Sequence, residues 1–399
     1  MNYTEAYEIC CKKARLHFEK LSGKLFEPGE CADGNYYANY PNTDFASDRW
    51  VWLSSMITGL APLMYETIGD KSALKWAYRF KDEYHSKVYA PFTQTMHDLG
   101  FLYIPYSVHL YRLTGDTEHR DTALRAADEL AKRFNARGGF IEAWSPMNDS
   151  DRELRMIVDC AMNVSLLYWA WNETNHCFYR DVADVHLNTT IKLLVRDDYS
   201  VAHAWFFNKN TALPEAEANA CGYSNGSHWA RGTAWLVYGL AIAYTYTKNE
   251  FYLEIALNVA GKYLDSLLES PVPVWDFRLP EDKPAAVFKK FPDGVMPWDE
   301  SNPGNTVYNV DTSAAAIMSC AFILINKTKP DAKLAEYADR ALEVLIDAYL
   351  DTDREKPAML KRSNGKNVYT VYGDYYFMLA LAMKLFGLTA PWANEQQED

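Results

Sequence analysis

The sequence predicts an all-α protein, an (α/α)6 barrel or six-hairpin toroid, in which helical hairpins form two concentric rings. Amphipathic segments follow one another along the 399 residues, with hardly any β-patterned stretch between them. Short polar turns alternate with long connecting segments, as a closed ring of hairpins requires. Because no Pro/Gly/Ser-rich or charged linker divides the chain, we expect a single domain over residues 1–399.

Helical spacing of apolar residues predicts about twelve helices. Their predicted spans are 3–22, 50–67, 71–88, 98–113, 117–135, 159–172, 177–193, 229–246, 250–268, 310–325, 331–349 and 372–386. Taken in consecutive pairs, they make the hairpins of the barrel. An open helical solenoid is the alternative, and it would lack a central pocket.

Short turns between predicted helices share one pattern, an aromatic-rich helix end followed by a polar turn and a new helix. They lie at residues 65–70, 111–116, 171–175, 244–249 and 325–329. The pairs Gly69-Asp70 and Gly115-Asp116 fit a helix C-cap followed by an N-cap. The long connectors, residues 23–49, 136–158, 194–228, 269–309 and 350–371, would gather at the opposite face. We expect the functional site there.

Composition excludes several classes of protein. With 49% hydrophobic residues the chain is too apolar for disorder, and its net charge of −13 argues against nucleic-acid and membrane partners. The polar N-terminal segment does not resemble a signal peptide, and no run of about 18 apolar residues follows. The seven cysteines show no CxxC pair and no zinc-like spacing. We therefore expect free thiols, a cytoplasmic location, and neither a metal nor a cofactor.

Two aspartates, Asp98 and Asp159, are the candidates for catalysis. Each stands at the start of a predicted buried helix, where a charge is costly unless something uses or compensates it. Because both follow long or irregular connections, they would face one cavity, and two carboxylates there suffice for acid/base chemistry at a sugar. Alternatively, each could cap its helix, and Asp159 could pair with Arg152 or Arg155.

The connectors are rich in tryptophan, whose flat face suits the apolar face of a sugar ring. The tryptophans in or beside the connectors are Trp52, Trp144, Trp205, Trp229, Trp235, Trp275 and Trp298. For any one of them taken alone, a place in the core is the better interpretation. Their concentration in the connectors favours a carbohydrate site.

Several cationic and imidazole side chains are further candidates for binding. Arg231 lies in the first turn of a predicted helix, where it could form a fork on a substrate carboxylate or an ion pair with a structural acid. His97 and His203 could serve the site or be satisfied core histidines. Lys366 belongs to a basic segment, residues 361–366, that could contact an anion or be a solvated turn.

Short motifs spread over nearly the whole chain resemble those of the unsaturated glucuronyl hydrolases, glycoside hydrolase family 88. The motifs are NTD at 42–44, HDLGF at 97–101, GGFIEAW at 138–144, IVDC at 157–160, VRDD at 195–198, GSHWARGTAW at 226–235, VWDF at 274–277, DTSA at 311–314 and GDYY at 373–376. The fold of that family, an (α/α)6 barrel, agrees with the fold predicted from the helix pattern.

The resemblance implies a substrate with a 4,5-unsaturated uronic acid at its non-reducing end and hydration of its vinyl ether, with protonation of C4 and addition of water at C5. It assigns Asp159 as the general acid/base and Asp98 as the partner that stabilises the transition state. Such an acid needs a raised pKa. The expected substrate contacts are Trp52, His97, Trp144, His203, Cys221, Trp229, Arg231, Trp235, Lys366 and Tyr375.

The chain departs from the family pattern at a few positions. Cys221 stands where many members have a glutamine that contacts the substrate, and the segment after Trp52 also differs. Lys361 and Asn364 replace serines found in members that act on sulfated disaccharides, whereas Lys366 is kept. These departures bear on substrate preference, and they leave recognition of sulfate as a hypothesis.

Three other functions fit parts of the sequence. The unsaturated rhamnogalacturonyl hydrolases, family 105, share the fold and the hydration chemistry but act on pectin fragments. A non-catalytic carbohydrate-binding barrel would explain the change at Cys221 but not the retention of Asp98, Asp159 and Arg231. An inverting glycosidase on saturated sugars would not require a C4=C5 double bond.

Overall fold

The computed structural model describes residues 1–21, 23–37, 44–91, 94–278 and 309–394, together with the backbone of 287–290 and 294–297. Its helices are α1 Tyr3–Lys20, α2 Ser54–Thr58, α3 Leu60–Ile68, α4 Lys71–Ala77, α5 Lys81–Tyr89, α6 Leu99–Tyr103, α7 His109–Thr114, α8 Thr117–Ala131, α9 Cys160–Asn163, α10 Ser165–Thr174, α11 Cys177–Leu194, α12 Ala230–Thr247, α13 Glu250–Asp265, α14 Thr312–Thr328, α15 Ala332–Val344 and α16 Val371–Phe386. Its strands are β1 Phe134–Asn135, β2 Phe140–Ile141, β3 Leu154–Ile157, β4 Ala204–Phe207, β5 Pro214–Ala218, β6 Val287–Lys290 and β7 Gly294–Pro297. Trp298 and the first two residues of the NTD motif lie outside the described residues.

The helices form two concentric rings. In the inner ring α2–α3, α6–α7, α9–α10, α12, α14 and α16 pack in that order, and α16 packs back on α2 and α3. Outside them, α4, α8, α11, α13 and α15 each pack on the inner helix that precedes them, and α1 packs on α16. This closed double ring confirms the (α/α)6 barrel, and the open solenoid is wrong.

The two rings differ in hydrophobic pattern because they differ in exposure. Helix α12 is buried around nearly its whole circumference, between the barrel centre and the outer ring. In the outer helix α15 the buried residues are Leu334, Tyr337, Ala338, Ala341 and Leu342, one apolar stripe at helical spacing. The stripe faces inward, and the remaining surface meets solvent.

The short turns all lie at one end of the barrel, which we call the short-turn face. Gly69 and Gly115 end inner helices with φ of 68° and 71°, in the left-handed conformation that glycine adopts at little cost. Asp70 and Asp116 follow and cap the next outer helices through main-chain N–H groups. The predicted pairing of C-cap and N-cap is confirmed.

Most predicted helix bounds differ from the observed ones by only a few residues. The largest differences are at 331–349, where α15 ends at Val344 and a π-helical turn, Leu345–Tyr349, follows, at 50–67, where the helix begins at Ser54, and at 117–135, where it ends at Ala131 before strand β1. The helix predicted over 98–113 contains a π-helical turn, Ile104–Val108, beside Pro105, which has no N–H for the helical ladder.

The sequence pattern missed a small antiparallel sheet of order β3-β4-β5. In this sheet Met156 pairs with Trp205 and Ile157 with Ala204. All four residues of β3 are buried, so the alternation of polar and apolar residues that marks a half-exposed strand is absent. Within the described ranges, no helix is long and apolar enough to cross a membrane.

Candidate active site

The inner helices all begin at the end of the barrel that carries the long connectors, which we call the connector face. Asp98 and Asp159 occupy the N-cap positions of α6 and α9 there, and neither side chain makes a capping hydrogen bond. Arg152 and Arg155 instead pair with glutamates, at 2.9 Å and 3.1 Å. Both structural alternatives for the two aspartates are therefore wrong.

Asn163 and Gly100 bring the two aspartates together. Asn163 Nδ2 donates to Asp98 Oδ1 at 2.9 Å and to the main-chain carbonyl of Asp159 at 3.4 Å, and Asn163 Oδ1 accepts from the Phe101 N–H at 2.9 Å. A Cβ on Gly100 would lie 2.5 Å from the Asn163 Cα, so only glycine permits this approach of α6 to α9. Sequence reasoning missed Asn163, although the glycine in HDLGF signals a close helix contact.

His97 is oriented by the main chain and faces Asp98. Its Nδ1 accepts from the Trp144 N–H at 3.2 Å, so the neutral ring carries its proton on Nε2, 3.2 Å from Asp98 Oδ1. Burial, followed by nearby positive charges, lowers the pKa of His97 well below its usual value, which keeps the ring neutral. Because His97 has no exposed surface, it cannot contact substrate as predicted, and its Nε2 packs against Asp98 without a hydrogen bond.

His203 has the same relation to Asp159. Its Nδ1 accepts from the Ala220 N–H at 2.8 Å, and its Nε2 lies 3.7 Å from Asp159 Oδ2. Burial lowers the pKa of His203 to about 3. The main-chain carbonyl of His203 also accepts from the Val158 N–H at 2.9 Å, so the missed sheet sets the spacing between His203 and Asp159.

Burial raises the pKa of both aspartates. That of Asp159 rises to about 6, and the positive charge of Arg231 offsets part of the increase. Burial and the negative charge of Asp159 raise the pKa of Asp98 well above its usual value, against the hydrogen bond from Asn163. The Asp159 side chain remains 15% exposed and is therefore accessible to solvent. Two coupled carboxyls with raised pKa values can hold and transfer a proton near neutral pH.

Two partly exposed tryptophans, Trp52 and Trp144, line the site. Trp52 stacks on Tyr372 with a centroid distance of 5.6 Å and an interplanar angle of 21°. Trp144 has a φ of 60°, an uncommon conformation that its hydrogen bond to His97 helps to hold. The Arg155 guanidinium lies 4.7 Å from the centre of the Trp144 ring. Both indoles are thus fixed from behind, as a stacking surface for a sugar requires.

Arg231 pairs with a structural acid. Its Nη1 donates to Asp311 Oδ2 at 2.5 Å and its Nη2 to Asn364 Oδ1 at 2.8 Å. The guanidinium lies between the rings of Trp229 and Tyr372, 4.6 Å and 4.9 Å from their centres. The ion-pair alternative is therefore what the structure shows, and the positive charge still reaches Asp159.

Three other predicted contacts are core residues. Trp235 and Tyr375 are fully buried, and Trp229 is 2% exposed. The charges of Arg112 and Glu66, near the short-turn face, act on Tyr375, which places it away from the acids. The predicted substrate contacts of Trp235 and Tyr375 are wrong, because these residues have no surface left for a ligand, whereas Trp229 keeps a small exposed area beside Arg231 and its contact stays a prediction.

Cys221 and Lys366 lie at the edge of the site and are partly exposed. Burial and the negative charge of Asp159 raise the pKa of Cys221 to about 12, so the side chain is a neutral thiol. Lys366 Nζ lies 3.0 Å from Glu30 Oε2. Lys366 is thus already paired with a carboxylate at the position where it was predicted to contact an anion.

Glu27 is a site residue that sequence reasoning missed. Its carboxyl accepts from the N–H groups of Trp52 and Leu53, both at 3.0 Å, and from Ser54 Oγ at 3.1 Å. Burial raises the pKa of Glu27 to about 8, although these bonds lower it. Glu27 lies in a long connector without periodicity, so its only signal is an acid beside the apolar pair Leu25-Phe26.

The whole chain is similar to known proteins. The model of Glycosyl Hydrolase Family 88 matches residues 32–269. The chain is 30% identical to an unsaturated chondroitin disaccharide hydrolase of Streptococcus pyogenes serotype M1, over 95% of this chain and 90% of that protein.

Solved structures agree with that match. A crystal structure of an unsaturated glucuronyl hydrolase from Bacillus sp. GL1, responsible for the degradation of glycosaminoglycan, has a TM-score of 0.83 and 28% identity, over 99% of this chain and 100% of that chain. A mutant of an unsaturated glucuronyl hydrolase from Streptococcus agalactiae, complexed with dGlcA-GalNAc6S, has a TM-score of 0.74 and 25% identity. The match covers 98% of this chain and 93% of that chain. The chain belongs to glycosyl hydrolase family 88.

Proposed function

We propose that the protein releases 4,5-unsaturated uronic acid from the non-reducing end of glycosaminoglycan fragments produced by lyases, by hydration of the C4=C5 double bond. The observation that carries the proposal is the pair Asp98 and Asp159, held at helix starts without capping bonds and with raised pKa values. Family membership supports the choice of substrate. The family 105 alternative has no observation in its favour.

The reaction needs one proton and one water molecule. The two carboxyls share one proton; in the reactive state it is on Asp159, which donates it to C4, and the ionised Asp98 stabilises the positive charge that develops at C5 and the ring oxygen. Water adds to C5 and gives its proton back to Asp159, which yields a hemiketal. The bond from C5 to the ring oxygen then breaks, C5 becomes a ketone, and C1 expels the rest of the sugar as an alcohol. Asp159 is therefore protonated again at the end of the cycle.

The two histidines support these roles as positioning residues. His203 Nε2 lies 3.7 Å from Asp159 Oδ2 and His97 Nε2 lies 3.2 Å from Asp98 Oδ1, without a hydrogen bond in either pair, and both rings are neutral. A neutral imidazole packed against a carboxyl limits its movement without adding the positive charge that would lower its pKa. Each acid can therefore alternate between its two protonation states during turnover.

Substrate orientation depends on the partly exposed residues. We assign stacking of the sugar rings to Trp52 and Trp144. Arg231 uses two of its five N–H donors on Asp311 and Asn364, and its charge attracts the uronate carboxylate in a chain that is otherwise acidic. Cys221 contributes a weakly polar thiol at this rim, in place of a stronger hydrogen-bonding group.

We also infer a single catalytic domain and a cytoplasmic location. All seven cysteines are free thiols, including the buried Cys10 and Cys320. Free cysteines in this number are typical of a reducing compartment. A glycosidase there would act on imported fragments.

The test is the loss of ultraviolet absorbance of the conjugated C4=C5 acid with unsaturated chondroitin, hyaluronan and heparin disaccharides. We expect loss with the wild type and at least about a thousandfold less in Asp159→Asn. Asp151→Asn is the matched control, because it removes an exposed carboxylate in the same connector. Folded wild type that consumes none of these disaccharides would refute the proposal.

A further inference from the structure

A chain of contacts connects the rim of the site to Arg231, and its outermost member is Glu30. Lys366 Nζ lies 3.0 Å from Glu30 Oε2, and Asn364 Nδ2 donates to Glu30 Oε1. Asn364 Oδ1 accepts from Arg231, which also donates to Asp311. Two carboxylates and two cations are thus matched in one cluster.

The loop that carries Lys366 is fixed to the barrel. The Asn364 N–H donates to Asp311 Oδ1 at 3.0 Å, and Asn364 and Gly365 have φ of 57° and 65°. A Cβ on Gly365 would come within 2.4 Å of Trp275 Cγ, so the loop lies directly on that indole. Lys366 is therefore held in place by its backbone as well as by Glu30.

The ion pair of Glu30 and Lys366 acts on the same thiol, Cys221, as Asp159 does. Four charged residues act on the Cys221 thiol, in decreasing order Asp159, Arg231, Lys366 and Glu30. The Glu30 and Lys366 side chains are 32% and 30% exposed. A sugar that extends from the bound uronic acid past Cys221 would meet both charges.

We propose that Glu30 is a specificity-determining residue, which makes this rim prefer an uncharged sugar to a sulfated one next to the unsaturated uronic acid. The inference rests on the proposed function and reverses the sulfate hypothesis drawn from the sequence. Lys366 alone would attract a sulfate. With Glu30 at 3.0 Å, an approaching sulfate meets attraction and repulsion of similar size, and it must also displace a bonded carboxylate.

The test compares unsulfated and 6-sulfated unsaturated chondroitin disaccharides. The wild type should have the higher kcat/KM on the unsulfated one. Glu30→Gln keeps an acceptor for Asn364 but removes the charge, and it should raise the ratio of sulfated to unsulfated kcat/KM by about five- to tenfold. The ratio of the two kcat/KM values is the readout, and it does not require the activity on the unsulfated disaccharide to stay at the wild-type level.

Two further variants separate charge from structure. In Glu30→Gln/Lys366→Gln the gain on the sulfated disaccharide should disappear, because it depends on the freed lysine. Glu118→Gln is the matched control, since it removes one carboxylate of an ion pair at the short-turn face and should leave the ratio unchanged. A ratio in Glu30→Gln equal to that of the wild type would overturn the inference, as would a wild type that prefers the sulfated disaccharide.

Binding distinguishes failure of this inference from failure of the proposed function. In an Asp159→Asn background the Kd of each disaccharide can be measured by calorimetry without turnover. If the wild type does not turn over but the Kd ratio shifts on Glu30→Gln, the proposed reaction fails and the specificity role stands. If turnover occurs and Glu30→Gln shifts neither the kcat/KM ratio nor the Kd ratio of the two disaccharides, only the role of Glu30 fails.

Discussion

The two faces of the barrel use aspartate in opposite ways. At the short-turn face Asp70 accepts from the N–H groups of Ser72 and Ala73 and pairs with Arg15, and these bonds outweigh partial burial and lower its pKa to about 2. At the connector face Asp159 has the same helix position but no capping bond, and its pKa rises to about 6.

The difference teaches where stability is gained and where it is lost. A carboxylate whose pKa is lowered by folding stabilises the folded state at neutral pH, whereas one whose pKa is raised destabilises it. At the short-turn face the aspartates stabilise the fold. At the connector face two aspartates with raised pKa values destabilise it, and we attribute their retention to the proposed reaction. Asp311 shows that a connector-face aspartate can cap a helix, since it accepts from Ser313 and Ala314.

After Asp159→Asn, the largest loss of activity is expected in Asp98→Asn, at the same face. Kcat/KM should fall by about a hundredfold or more, because the developing positive charge loses its partner. The amide keeps the shape and an acceptor for Asn163. Steady-state kinetics measure the loss, and unchanged circular dichroism must accompany it. A loss of less than about threefold would remove Asp98 from the reaction.

Asp159→Asn should make the protein more stable at pH 7, by about 3 kcal/mol. The pKa of Asp159 in the folded protein is about 6, above the ordinary value of 3.8. The ionised Asp159 therefore destabilises the folded state; this destabilisation is absent below pH 3.8, grows as the pH rises, and is complete above pH 6. Denaturant unfolding at pH 4 and pH 7 measures it. An equal effect of the mutation at both pH values would contradict this assignment.

Glu27→Ala tests whether the start of α2 is held for binding. The N–H groups of Trp52 and Leu53 would lose their acceptor, so Trp52 should move and KM should rise about tenfold, with kcat changed little. Glu27→Gln is the matched control, because it retains an acceptor oxygen. A variant with wild-type KM would show that Trp52 does not depend on this bond.

The smallest effect is expected at the other face. Asp70→Ala removes the cap of α4 and should lower the free energy of unfolding by about 1 kcal/mol. Kcat/KM should remain within experimental error of the wild type. Thermal unfolding and the absorbance assay measure the two quantities on one preparation, and a large loss of activity would remove the distinction between the faces.

The parts of the molecule that could be predicted from the sequence are those encoded locally. Helical periodicity locates the rings, and Gly69-Asp70 marks a turn, because both signals lie within a few residues. Asp98 and Asp159 could be found because an acid in a buried run is conspicuous. The sheet that delivers Asp159 could not, since the fully buried β3 lacks alternation.

The rest of the site depends on contacts between distant segments. Arg231 finds Asp311 on a neighbouring inner helix, and Glu30 finds Lys366 across almost the whole chain, so no local pattern reveals either pair. The tyrosine contact predicted for Tyr375 belongs to another position on the same helix. Tyr372, three residues earlier, lies in the first turn of α16 and reaches Arg231, whereas Tyr375 faces the core.

The most direct test of the proposed reaction is turnover of unsaturated chondroitin disaccharide in H2 18O, with the product reduced at once so that its carbonyl oxygens stop exchanging. Hydration of the double bond predicts the 18O on C5 of the released acid and none on C1, and no cleavage of the saturated disaccharide. An 18O on C1 with none on C5, or cleavage of the saturated disaccharide, would show attack at the anomeric carbon and contradict the proposed role of Asp159.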